Sequence, residues 1–88
     1  MLIAIEHDIN DPETFQQCAE KVFPLPDGFH VHQFFPAMDM SRAVCLYEAS
    51  SIDQLSEYLD NKLGESSSQH YFPVLEEKAI GLPGKILS

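Results

Sequence analysis

Positive charge is scarce in this 88-residue chain: five Lys+Arg stand against fourteen Asp+Glu, for a formal net charge of −9. Lys21, Arg42, Lys62, Lys78 and Lys85 are scattered and form no patch. A field of that sign repels polyanions, which excludes nucleic acid and anionic membrane surfaces as partners. Cysteine is scarce too. Cys18 and Cys45 show no CxxC spacing, which argues against a disulfide framework and for a reducing, cytoplasmic setting. No apolar run approaches the ~20 residues of a membrane helix. The opening MLIAIEHDIND lacks the basic n-region and apolar stretch of a signal peptide. GLPG at 81–84 reads as a turn, because no G-x-x-x-x-G-K follows a strand. Repeats and low-complexity segments are absent. The acidity itself serves solubility and does not imply a metal.

What is present reads as alternating strands and helices. LIAIEHDI at 2–9 is a strand. Asp11-Pro12 is an N-cap followed by proline at the first helical position, and Phe15, Cys18, Ala19 and Val22 form one apolar stripe, predicting a helix over 12–22 that Pro24 ends. Residues 29–35 and 42–49 are strands joined by the polar PAMDMS, a spacing that predicts an antiparallel hairpin. Ser51-Ile-Asp-Gln54 has the S-x-x-Q capping-box form and opens a second helix with Ile52, Leu55, Leu59 and Leu63 inward and Gly64 just past its end. A last strand near 69–75 contains Pro73, which assigns it to a sheet edge.

The order β-α-β-β-α-β predicts a single α+β domain over 1–88. Right-handed crossovers give a ferredoxin-like βαββαβ sandwich, a four-stranded antiparallel sheet in the order 4-1-3-2 with two helices on one face. Such a sheet leaves its other face to be covered. If the helices take the aliphatic side chains, Ile3, Ile5, Phe29, Val31, Phe35, Val44 and Leu46 face them. The open face then carries Ala4, Glu6, His30, His32, Phe34, Cys45 and Tyr47. A hairpin turn centred between Met38 and Asp39 sets His32 opposite Cys45 and His30 opposite Tyr47. Leaving Phe34 and Tyr47 wet is costly, so a homodimer is expected, two sheets face to face in a dimeric α/β barrel. Residues 76–88 form a tail placed against the partner subunit.

The polar groups of that open face are the candidate site. His30 and His32 stand about 7 Å apart along a strand, with Cys45 and Glu6 able to complete a set of ligands suited to nickel, zinc or iron(II). Glu6, His30, Phe34 and Tyr47 are the candidate small-ligand contacts. A nucleophilic Cys45 activated by His32 is a narrower reading, set against that of an ordinary buried thiol. Cys18 belongs to a core stripe, and His7, in phase with Ile3 and Ile5, to the helix-side rim.

At VHQFF and AVCLYEASSIDQL the chain resembles a small uncharacterised bacterial family of ferredoxin-like fold. The matching positions are Glu6, His32, Cys45, Tyr47 and Glu48; His7 and His30 depart from the pattern. The resemblance implies the dimeric α/β-barrel fold and, from members described as nickel-binding, a metal. Three functions compete. One is a metal- or small-ligand-binding dimer. Another is a small cofactor-independent enzyme resembling dimeric α/β-barrel monooxygenases and isomerases, with His32 as base and Tyr47 orienting the substrate. The third is a structural or regulatory interaction module.

Overall fold

Every second residue of β1 (Leu2–Ile9) is buried, and the set Ile3, Ile5, His7 and Ile9 defines the face that meets the helices. The computed structural model describes residues 1–82. Helix α1 (Pro12–Glu20) starts as the sequence predicts. The Asp11 carboxylate accepts from the Thr14 amide and Pro12 occupies the first turn. It ends earlier than the stripe suggested, with Lys21 as its C-cap, and Val22 reaches the core from the following turn.

Helix α2 (Ile52–Leu63) is capped by Ser51, whose hydroxyl accepts from the Gln54 amide at 3.1 Å. Only half of the expected capping box forms, because the Gln54 side chain accepts from the Ser50 hydroxyl instead of reaching back to the cap. Leu55, Leu59 and Leu63 form its buried stripe. Gly64 follows at φ +58°, ψ −138°, a backbone region in which a side chain is strained. A short 3₁₀ turn, Gly64–Ser66, leads into β4 (Ser67–Pro73).

With β2 (His30–Pro36) and β3 (Arg42–Glu48) these strands make one antiparallel sheet in the order β2-β3-β1-β4. The α+β arrangement, an open sheet with two helices, is consistent with a ferredoxin-like fold. Proline at the edge is explained by the ladder. Val74 donates its amide to Leu2, and successive strand amides alternate sides, so the nitrogen of Pro73 is turned to the free edge.

The face assignment of the hairpin is corrected by the structure. Cys45 lies opposite Ile5, and Tyr47 opposite Ile3, so both share the helix-facing side with the β1 isoleucines; Val44 and Leu46 point to the open side. Two causes combine. The aliphatic set of β1 chooses its own face, and the β1–β3 register then carries Ala43, Cys45 and Tyr47 along with it. The small Ala43 and Cys45 leave room for Phe15 and Leu59 in the same core cluster. In β2 a bulge at His32 adds one residue between Val31, opposite Tyr47, and Gln33, opposite Leu46. Beyond the bulge the phase inverts: Phe34 faces the helix side opposite Cys45, and Phe35 faces the open side opposite Val44. The turn is also centred one residue later than expected, between Asp39 and Met40, which sets Phe34 and not His32 opposite Cys45. Ala37 and Arg42 close it, and Met40 sits at φ +60°.

Candidate functional site

The strand period that buries Ile3 and Ile5 also buries His7, and the ring finds polar partners on two neighbouring strands. Its Nε2 lies 3.1 Å from Cys45 Sγ on β3, and its Nδ1 lies 3.2 Å from Gln69 Oε1 on β4. Phe15 of α1 meets the ring edge-on, with centroids 5.7 Å apart. Behind Gln69 the chain of hydrogen bonds continues. Its Nε2 donates to Asp60 Oδ1 at 2.8 Å, the same oxygen accepts from the Tyr71 hydroxyl at 2.7 Å, and the Ser67 hydroxyl donates to Gln69 Oε1.

This network assigns the protons. A carboxylate only accepts, so Asp60 turns the amide nitrogen of Gln69 toward itself and the amide oxygen toward His7. That oxygen also only accepts, so the His7 proton resides on Nδ1. Nε2 is left with a lone pair, and the Cys45 thiol donates to it. Burial lowers the His7 pKa from the ordinary histidine value, only partly offset by the Gln69 bond and the Asp60 charge. Burial pushes the Cys45 thiol up to about 12. Both effects disfavour charge in a dry site, so the pair rests as neutral imidazole and neutral thiol rather than as imidazolium and thiolate.

His7 and Cys45 border a cavity of about 150 Å³ between the sheet and the two helices. Its remaining walls are Phe15, Ala19, Val22, Phe23, Val31, Phe34, Tyr47, Leu59 and Leu63. Phe23 and Phe34, each about half exposed, stand at its mouth. Burial pushes the Tyr47 phenol up, so it too is neutral. The cavity therefore carries no charged wall.

The residues expected to form an open-face site are divided by the fold. Cys45, Tyr47 and Phe34 belong to the cavity on the helix side. Glu6, opposite Val44 and His70, and His30, opposite Glu48, lie on the open side, on strands separated by β3. His32 in the bulge meets neither Cys45 nor His30 as a partner; its Nε2 lies 3.0 Å from Glu48 Oε1 and holds that carboxyl below the usual range. Among the described residues no group of three or more His, Cys, Asp or Glu stands close enough to hold a metal ion, so Glu6, His30, His32 and Cys45 are not brought together as a ligand set.

His7, Gln69 and Asp60 were not expected as site residues. The phase of His7 with the β1 isoleucines was the one local signal. Gln69 and Asp60 reach the site through a pairing 62 residues apart in the chain, between His7 and Gln69, for which no local pattern exists. Comparison with known protein families, with curated proteins and with solved structures finds no match to this chain. Among the described residues no helix is long and apolar enough to cross a membrane.

Proposed function

We propose that this chain is a small-ligand-binding protein whose ligand is a neutral, mostly apolar molecule of about one aromatic ring, held in the cavity between sheet and helices. A single observation carries the reading: an otherwise apolar cavity ends on one polar pair, His7–Cys45, of fixed tautomer and no charge. Natural drug-sized sites span roughly 300–1,000 Å³, whereas an engineered cavity of about 150 Å³ binds benzene. The present volume of about 150 Å³ suits the smaller class. One polar substituent on the ring faces His7 and Cys45, and a charged ligand is rejected because nothing in the wall neutralises it. The test is a protein NMR titration with phenol, benzyl alcohol and benzoate. Saturable shifts at Phe15, Cys45 and Leu59 for the neutral pair alone, lost when Ala19→Leu fills the cavity from α1, are expected. No saturable shift at millimolar ligand would sink the reading.

The Nε2 lone pair supports a second reading, a cofactor-independent enzyme of the monooxygenase or isomerase type, with His7 rather than His32 as the base. The cytoplasm suits either, since both cysteines are free and the site needs a reduced thiol. The homodimer belongs to the same proposal on changed grounds. Tyr47 is already buried within the single chain, but Phe35, Val44 and Phe72 stand about half exposed or more on the open face. A second copy of that face is the occupant we propose for them. The tail reaches this face at one edge, where Gln33 donates to the Gly81 carbonyl and Leu82 is buried.

A further inference from the structure

We propose that Cys45 is a nucleophile toward small conjugated carbonyl compounds, adding its thiol across an activated C=C bond in the cavity with His7 as the base. The inference rests on the cavity being a ligand site, as proposed above, and adds the chemistry of that ligand.

The geometry has the parts nucleophilic catalysis needs. The thiol and its base are in hydrogen-bond reach, 3.1 Å between Sγ and Nε2, and the base is oriented by a further group, Gln69, itself held by Asp60. Both residues line the cavity. Cys18, the other free thiol, lies on α1 outside this arrangement and is an internal reference.

The walls select the electrophile. No cationic group lines the cavity, which argues against phosphates and carboxylates. Acyl transfer would need donors arranged for a tetrahedral oxyanion. Conjugate addition needs neither a leaving group nor such a hole. As Sγ bonds to the β-carbon, the thiol proton passes to Nε2 and the C=C electron pair moves to the α-carbon and carbonyl as an enolate. His7 then returns the proton to the α-carbon. The net change is addition of S–H across C=C, with no oxidant, reductant or departing group.

The neutral resting pair sets the pH behaviour. The ionisable groups around His7 are Cys45 and Tyr47 from β3, Asp60 from α2 through Gln69, and Tyr71 from β4; α1 contributes only the Phe15 ring. Attack is coupled to proton transfer onto an imidazole that is already neutral at pH 7. Its rate is therefore flat between pH 7 and 9. A free thiol must ionise first, and its rate climbs roughly tenfold per pH unit below a pKa of about 8.5.

The experiment treats the full chain with phenyl vinyl ketone and maps adducts by mass spectrometry, with N-acetylcysteine as the free-thiol reference. Propiophenone, the saturated analogue, is titrated in parallel by NMR. Expected are an adduct at Cys45 formed faster than that at Cys18, a flat pH profile for Cys45, and competition by propiophenone. His7→Gln, with folding checked by circular dichroism, should slow the Cys45 adduct by about 100-fold, the lower range for a general base. Should that variant not fold, the wild-type pH profile decides. Propiophenone binding without a Cys45 adduct, or with an adduct whose rate follows that of N-acetylcysteine with pH, overturns the nucleophile and leaves the ligand site standing. Binding of neither compound overturns both.

Discussion

His7 is 4% exposed and commits both ring nitrogens inside the protein. Its pKa is lowered, chiefly by desolvation, which links its charge to folding. The unfolded chain, with histidine near pKa 6.5, binds a proton that the folded chain resists. Folding stability from this group is therefore complete above pH 6.5 and is lost as the pH falls from 6.5 toward the lowered folded value. Urea midpoints measured from pH 7.5 to 5.5 should decline, and His7→Gln should flatten the decline; an equal decline in both proteins would place its cause elsewhere. Leu59 is the apolar counterpart across the cavity and is 1% exposed. Leu59→Ala should cost roughly 2–5 kcal/mol by denaturant titration, because the void adds to the lost transfer energy. It should also admit ligands larger than one ring.

At the scale of elements, caps and breakers were legible and the phase of one hairpin was not. Asp11-Pro12 and Ser51 mark helix starts because their side chains satisfy otherwise unpaired amides, a local requirement that a sequence displays. Gly64 is legible for a similar reason. Its φ of +58° is strained for any side chain, while a Cβ there would meet nothing within 4 Å. Gly64→Ala should then cost on the order of 1–3 kcal/mol through backbone conformation alone, read as a lower thermal midpoint with the cavity resonances unmoved. The bulge at His32 shows no such mark. V-H-Q-F-F alternates no better with one residue skipped than without, and only pairing to β3 shows that Val31 and Phe34 both face the helices. One inserted residue inverted the faces of everything after it relative to Val31, while the shifted turn set Phe34 rather than His32 opposite Cys45.

The whole molecule presents a charge of −9 and an open face on which Val44, Phe35 and Phe72 are about half exposed or more. Under the proposed self-association, two like-charged copies repel at long range, and salt screens that repulsion. Light scattering should therefore show dimer dissociation weakening as ionic strength rises from 10 to about 150 mM, where the Debye length falls from about 30 to about 8 Å. Val44→Asp should yield a monomer with unchanged circular dichroism, since Val44 packs against nothing in the core cluster. A dimer indifferent to that change would locate the contact on another surface.

The order of strands and helices, the helix starts, the proline-bearing edge strand and the inward phase of β1 were all settled by the sequence, because each depends on requirements met within a few residues: an orphan amide, a missing proton, a period of two. The site was settled by tertiary structure. His7 was readable as inward-facing, but its partners are a thiol 38 residues and an amide 62 residues along the chain. Nothing local distinguishes a buried histidine bonded to a thiol from one bonded to water. That choice depends on the register of three strands, on one bulge, and on the volume that Ala43 and Cys45 leave for the helices, and these are properties of the packed molecule alone.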